Sequence, residues 1–129
     1  MKKTLYIILC SALFTSCQKA DNNGDLGGFW KLLQIEELAN DNIIDKSQED
    51  CFWAIQLRMI TANKDGIAFG KGRFQYTGDS LFVQMTQKPS NGKDIGLYTP
   101  DNERFGVNKL TKKSMILQSE EVRLTFRKF

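Results

Sequence analysis

Histidine is absent from this chain of 129 residues, which also contains only 2 prolines and 3 cysteines. Without histidine, the Ser-His and Cys-His pairs of nucleophilic catalysis cannot form, and most zinc sites lose a usual ligand. Cys51 is the only cysteine beyond residue 17, so the later part of the chain has no intrachain disulfide available. We therefore expect a protein that is not an enzyme, with no catalytic residues, metal or cofactor, and Cys51 as a small buried apolar residue.

The first 17 residues have the layout of a secretory signal peptide. Lys2-Lys3 precedes the apolar run 5–14, which is ten residues long and too short to span a bilayer as a helix. Two small residues then stand before Cys17. The run Phe-Thr-Ser-Cys resembles the lipid-attachment box of bacterial lipoproteins, although Phe14 stands where that box usually carries Leu, Val or Ile. The alternatives are an ordinary cleaved secretory leader and a mitochondrial presequence.

This resemblance predicts a domain organisation and a location. Residues 1–16 would be a lipoprotein signal peptide, Cys17 would carry the palmitate-containing lipid anchor, and residues 17–25 would be a flexible linker. Directly after Cys17 stands Gln18 and not Asp, and in this the chain resembles lipoproteins sorted to the outer membrane. We therefore expect the protein at the outer membrane, facing the periplasm or the cell surface. Loss of the leader also removes two of the 18 basic residues that oppose 15 acidic ones, which weakens any case for nucleic-acid binding.

Residues 26–129 are predicted to form one all-β domain. Segments rich in Phe, Ile, Val, Leu and Tyr alternate with turn signals such as 63–66 and 78–79. The predicted strands are 29–37, 52–61, 67–76, 81–85, 97–99, 105–110, 114–119 and 122–128. Their even spacing favours hairpins over βαβ units, and closure would remove the exposed edges. The sequence thus predicts an eight-stranded antiparallel up-and-down barrel.

Alternation along these strands predicts which residues face the interior. In segment 52–61, the odd positions Trp53, Ile55, Leu57 and Met59 share one face. In segment 67–76 the phase slips at Gly70-Lys71-Gly72, and a bulge there would bring Ile67, Phe69, Phe74 and Tyr76 to one face. The predicted interior also includes Leu81, Val83, Leu117, Leu124 and Phe126.

Several blocks of this domain resemble a known family. Gly28 and Trp30 match the Gly-x-Trp motif of lipocalin-like barrels. Segments 51–57, 73–81 and 107–111 resemble blocks of the small lipocalin-like lipoproteins of Bacteroides and relatives. The resemblance implies a calycin-type barrel, and it implies that an arginine of the last strand, Arg123 or Arg127, lies against Trp30. Gly28, Trp30 and these arginines are then structural residues.

Lipocalin-like barrels often carry small apolar ligands, whereas this bacterial group has no settled activity. The candidate ligand-lining residues are Trp53, Ile55, Leu57, Met59, Phe69, Phe74, Leu81 and Val83. An eight-stranded barrel either fills with side chains or holds one small ligand, so both interiors stay open. The leading hypothesis is a membrane-anchored lipoprotein that binds a small apolar ligand, and the alternative is a protein-interaction subunit with a solid core. An enclosed apolar cavity under the segment 40–50 would favour the ligand carrier.

Overall fold

The computed structural model describes residues 23–129, which form nine β-strands and two short 3-10 helices. The strands are β1 Gly28–Glu37, β2 Asn42–Asp45, β3 Cys51–Gln56, β4 Met59–Lys64, β5 Ile67–Tyr76, β6 Ser80–Gln87, β7 Glu103–Leu110, β8 Ser114–Gln118 and β9 Val122–Lys128. The helices are Gly24–Leu26 and Gly92–Ile95. The predicted leader, the predicted lipidation at Cys17 and most of the predicted linker lie outside the described residues. No helix among residues 23–129 is long and apolar enough to cross a membrane.

Antiparallel pairing of β1 with β3, of each strand from β3 to β9 with the next, and of β9 with β1 closes the sheet into a barrel. β2 and β3 share one edge of β1, because β3 pairs with Gly28 to Lys31 whereas β2 pairs with Gln34 to Glu37. They therefore occupy one strand position, and the barrel has eight. This confirms the predicted eight-stranded antiparallel up-and-down architecture.

The strand directions define two ends of the barrel. The base is the end at which β1 begins, and the rim is the end at which β1 finishes. The base holds residues 23–27 and the turns 57–58, 77–79 and 111–113. The rim holds the turns 38–41, 65–66 and 119–121, together with the long loop 88–102, which we call the lid.

The prediction of one strand over 52–61 is wrong, because this segment belongs to two strands, β3 and β4, joined by a tight turn. Leu57 adopts a positive φ of 53° and forms the turn with Arg58. The turn resets the alternation, so Ile60 and Ala62 face the core in β4. Leu57 and Met59 are 64% and 49% exposed, so they do not share the inward face of Trp53 and Ile55. The turn lacks glycine and proline, which hid it from the sequence signals.

Two further predictions about the elements are wrong, and a third, the bulge in β5, is confirmed. The segment 97–99 is not a strand but part of the lid, and the predicted loop 40–50 contains β2. The bulge in β5 is confirmed by register shifts on both sides of the strand, near Gly70 and Lys71. It places Phe69 and Tyr76 against the core together with buried Phe74, but Ile67 is 70% exposed because it precedes the bulge.

A single apolar core fills the barrel. Trp30, Leu32 and Ile35 of β1 are fully buried, as are the predicted inward residues Leu81 and Val83. Leu117, Leu124 and Phe126 close the same core from β8 and β9, as predicted. Cys51 is buried with a free thiol, as expected of a small apolar residue.

Trp30 and its neighbour Phe29 provide a matched pair for testing this core. Trp30→Ala is expected to lower the free energy of unfolding by about 3–5 kcal/mol, the range for a buried large aromatic. Phe29→Ala changes an outward side chain that is 49% exposed, and we expect a loss of about 1 kcal/mol or less. Urea melts give both values. Equal losses for the two variants would contradict the inward placement of Trp30.

Candidate functional site

The predicted pocket residues that face inward are packed into the core. Trp53, Ile55, Leu81 and Val83 are at most 1% exposed. The Trp53 ring centroid lies 4.8 Å from that of Phe126 and 5.8 Å from that of Phe105, the spacing of packed aromatic rings. Phe74 and Phe69 also join this core, Phe69 only in part. The ligand-binding part of these predictions stays untested. Trp53, Ile55, Leu81 and Val83 have protein neighbours instead of an open space, whereas Phe74 also lines a groove beside Leu57 and Arg58.

Four grooves formed by residues 23–129 lie on the outside of the barrel or at its ends. Their linings include none of Trp53, Ile55, Leu81 and Val83. Leu57 and Met59 line two of them beside Arg58 and Arg73, on the outer wall near the base. The predicted role of Leu57 and Met59 as lining of an interior pocket is therefore wrong.

The base is closed by the N-terminal 3-10 helix and Trp30. The indole Nε1–H of Trp30 donates to the carbonyl oxygen of Leu26 over 2.7 Å, and the Leu26 side chain is fully buried beneath the barrel. Asn23 is also buried, and its Nδ2 donates to the Leu57 carbonyl over 2.7 Å. The predicted flexible linker therefore gives way to packed structure by residue 23.

A lysine, and neither predicted arginine, covers Trp30. Lys128 places its Nζ 4.8 Å from the Trp30 ring centroid and donates to the Asp25 carbonyl over 2.7 Å. A Cβ on Gly28 would come within 3.2 Å of the Lys128 Cε, and Gly28 has a φ of 131°, so glycine there makes room for this contact. Gly28 and Trp30 thus hold the structural roles that the motif implies.

Strand alternation explains why the arginine prediction is wrong. Val122, Leu124 and Phe126 face the core, so Arg123 and Arg127 point outward. Arg123 lies toward the rim, where its Nη1 donates to Glu36 Oε2 over 2.7 Å. Arg127 is exposed and pairs in register with Lys31.

The rim is closed by the lid in a similar way. The indole Nε1–H of Trp53 donates to the Ile95 carbonyl over 2.9 Å, and the side chains of Ile95 and Leu97 are buried. Gly96 between them has a φ of 86°, and a Cβ there would lie 3.0 Å from the Leu124 side chain. Glycine therefore lets the lid turn tightly onto the core.

A cluster of four charges attaches the lid to the strands. Lys46 Nζ lies 2.7 Å from Asp94 Oδ1 and 3.3 Å from Glu49, while Lys64 Nζ contacts Asp94 Oδ2 and lies 3.7 Å from Glu49. The hydrogen bonds from Lys46 and Lys64 hold the pKa of Asp94 below its usual value. Because the Lys46 side chain is buried, removing Asp94 would leave a buried cation without its strongest partner.

Two further polar contacts join the lid to the barrel wall. The Tyr98 hydroxyl donates to Glu37 Oε2 over 2.8 Å, and burial together with this bond raises the pKa of Tyr98. Glu103 is 3% exposed and its Oε2 accepts a hydrogen bond from the Thr99 N–H over 3.1 Å. Burial raises the pKa of Glu103 to about 7, although the backbone donor opposes the shift.

Nucleophilic or metal chemistry finds little support in these contacts. Burial raises the pKa of the Cys51 thiol, which keeps it protonated, and its Sγ lies 3.9 Å from the Asp94 carbonyl oxygen. Among residues 23–129, no three metal-ligating side chains come together.

An aromatic groove on the outer wall was not predicted. Phe29, Phe52 and Phe129, with Asn63 and Gly66, line a groove of about 300 Å³. The Phe52 and Phe129 rings meet edge to face at 5.3 Å, and the Phe129 N–H donates to the Phe29 carbonyl over 2.9 Å. The sequence did contain a signal. Phe-Trp occurs at 29–30 and at 52–53, and in a strand one residue of each pair must face outward.

Comparison with known proteins identifies the family. The sequence model of the lipocalin-like domain family matches residues 12–129, so the chain belongs to this family. A lipocalin-like protein from Bacteroides uniformis superposes with a TM-score of 0.67 at 24% identity, covering 82% of this chain and 100% of its own. An uncharacterised protein from Bacteroides eggerthii gives 0.63 at 20% identity, covering 80% and 98%. These two structures support the fold alone. No curated protein matches the sequence.

The buried Glu103 carboxyl predicts a pH-dependent contribution to stability. Its pKa of about 7 in the folded protein exceeds the ordinary value of 4.5, so the folded state binds its proton more tightly than the unfolded state. The free energy of unfolding should therefore fall between pH 4.5 and 7, by on the order of 1–3 kcal/mol from this group. Urea melts of Glu103→Gln should lose this component, whereas Glu120→Gln in an exposed turn should keep it. Parallel pH profiles for wild type and Glu103→Gln would contradict it.

Proposed function

We propose that this member of the lipocalin-like domain family is a membrane-anchored, non-enzymatic lipoprotein whose solid barrel binds a protein partner through its outer surface. The proposal rests mainly on how the interior of the barrel is packed and closed. The interior is filled by its own side chains, and each end is closed by a segment bonded to a tryptophan indole. The protein-interaction alternative thus takes precedence over a carrier of ligands inside the barrel.

The anchor is supported by the residues before the barrel. The box at 14–17 provides a lipid acceptor at Cys17, and several acyl chains on one cysteine are sufficient for stable attachment. The barrel follows closely, since packed structure begins at Asn23. We expect the anchored protein at the outer membrane, facing the periplasm or the cell surface.

An interior ligand would have to displace protein. Pockets for small molecules usually enclose about 300–1,000 Å³ and cover most of the ligand. Here Trp53 occupies the space below the lid, and the lid is attached through the Ile95 carbonyl and the charges around Asp94. Opening it would break the indole hydrogen bond, separate buried charges and expose Ile95 and Leu97. These costs favour a core over a ligand chamber.

The outer aromatic groove is the candidate partner site. Exposed aromatic residues in a contiguous patch are enriched at protein interfaces and often dominate their binding energy. Phe129 is 81% exposed and Phe29 is 49% exposed, yet both lie beside Phe52. Lys31 pairs in register with Phe52 and with Arg127, which places two cations beside the groove. A partner with an apolar side chain next to carboxylates would match this surface.

A small apolar ligand in the same groove is the second candidate, because the phenylalanines give it an apolar lining. Both candidates use Phe52, but they differ in the mass that is bound. This difference makes the two functions separable in one experiment.

Native mass spectrometry of the full chain, purified without a tag from its host, tests the proposal. We expect a mass that includes acyl chains on Cys17, no small-molecule adduct, and a complex with a second protein. Phe52→Ser should remove that complex, whereas Phe82→Ser should retain it, because Phe82 is a similar outward residue on the opposite wall, beside Arg104. Cys17→Ala should lose the acyl mass.

Three results would each contradict a separate part of the proposal. A small-molecule adduct that persists in Phe52→Ser would return the function to a ligand inside the barrel. A wild-type mass without acyl chains would remove the lipid anchor. A complex that survives equally in both phenylalanine variants would place the partner outside the aromatic groove.

A further inference from the structure

The charges of the barrel are divided unevenly between its two ends. Among residues 23–129, cations at the base include Arg58, Lys112, Lys113, Arg127 and Lys128, and the carboxylates there are Asp25 and Asp79. The turns and segments of the rim hold most of the other carboxylates, among them Glu37, Asp41, Glu49, Asp50, Glu120 and Glu121. The formal net charge of the whole chain is only +3, but the base is basic and the rim is acidic.

The ion pairs show the same asymmetry. Among residues 23–129, every ion pair lies at the rim or the lid, where Lys46, Lys64, Lys88 and Arg123 each meet a carboxylate. Within that same part of the chain, the basal cations form no ion pair. The charges of these basal cations are therefore available to an external anion. The cations of the rim are less available, because each already meets a carboxylate.

An apolar residue projects from the basic end. Leu57 occupies the tip of the β3–β4 turn and is held there by the hydrogen bond from Asn23 to its carbonyl. Arg58 follows it directly, and Arg58 and Arg73 line both grooves beside the turn. An exposed apolar side chain flanked by cations with long apolar stems suits the boundary between lipid headgroups and acyl chains.

The exposed isoleucines at the rim do not share this setting. Ile43 lies two residues from Asp41 and Asp45, and Ile67 follows Asp65 by two residues. Carboxylates beside an apolar residue would be repelled by an anionic surface. Charge, more than apolarity, therefore distinguishes the two ends.

The chain leaves the barrel at the same end. Asn23 packs at the base next to Leu57, and Cys17 precedes it by six residues, which reach at most about 20 Å when fully extended. Ten-residue strands inclined to the axis give a barrel about 25 Å tall. If Cys17 is acylated, the linker keeps the base close to the bilayer and is too short to let the rim face it.

We propose that the base is a membrane-docking surface that binds the headgroups of anionic phospholipids through Arg58, Arg73, Lys112 and Lys113, with Leu57 inserted between them. This inference rests on the proposed lipid anchor, which brings the base to the bilayer. It orients the barrel upright, with the acidic rim directed away from the membrane and the outer wall open to a partner.

Vesicle co-sedimentation of residues 17–129 carrying Cys17→Ala tests the surface without the leader and the lipid. Vesicles of phosphatidylglycerol and phosphatidylethanolamine are compared with vesicles of phosphatidylcholine. Each basic residue near an anionic surface changes binding about fivefold, so Lys112→Glu with Lys113→Glu should weaken binding to the anionic vesicles about 25-fold or more. The same net change at the lid, Lys88→Glu with Lys93→Glu, should weaken it less than about threefold. Urea melts verify that both variants fold.

Failure of the docking proposal can be distinguished from failure of the proposed lipid anchor. Equal binding to the two vesicle types by the unmutated surface, or equal losses from the basal and lid variants, would overturn the docking proposal. Leu57→Ser should also weaken binding to anionic vesicles, and its loss should persist at high salt, since an apolar contact is not screened. Acylation of Cys17 is read independently from the mass of the wild-type chain.

Discussion

Two indole hydrogen bonds hold the structure closed. Trp30 and Trp53 are paired in register on the adjacent strands β1 and β3, and both side chains lie in the core. Their indole N–H groups nevertheless bond to opposite ends of the barrel. One donates to Leu26 at the base and the other to Ile95 in the lid. A buried indole N–H needs a partner, and each closing segment supplies a carbonyl that would otherwise lack one. The filling of the core and the closure of its ends are therefore one arrangement.

The two ends are reinforced by different interactions. At the base, Lys128 lies over Trp30 and reaches the Asp25 carbonyl, so the closure uses a cation and backbone oxygens. At the rim, Asp94 brings together Lys46 and Lys64, and Glu103 accepts from the Thr99 N–H. The acidic groups of residues 23–129 are thus used mainly at the rim, and within this part of the chain the basal cations have no carboxylate partner. The same distribution that secures the lid underlies the proposed contact with anionic lipid.

Much of the fold could be predicted from the sequence, because hydrophobic alternation and turn residues carry most of it. The barrel, the bulge near Gly70 and the inward set of β6 follow from these signals. The Leu57-Arg58 turn escaped because its residues do not favour turns, and its register moved Leu57 and Met59 outward. The lid escaped because a short apolar run at 97–99 looks like a strand, whereas tertiary packing makes it a cover. Lys128, and not an arginine, covers Trp30 because of which residues face inward at the very end of β9. Sequence patterns are least informative at the ends of elements.

The candidate sites were less predictable, since they depend on which side chains are brought together. The aromatic groove joins β1, β3, β4 and Phe129 across the sheet, and the basic end joins three turns that are distant in sequence. Neither follows from local spacing. Both follow once the register is known, because each strand pairing states which residues share a face.

Hydrogen exchange of the two indole N–H groups, followed by NMR, tests the closed barrel most directly. We expect the indole N–H groups of Trp30 and Trp53 to exchange as slowly as the most protected amides of β1 and β9, since both bonds should break only in global unfolding. Rapid exchange of the Trp53 indole, while the strand amides remain protected, would show that the lid opens and would contradict a solid, permanently closed interior.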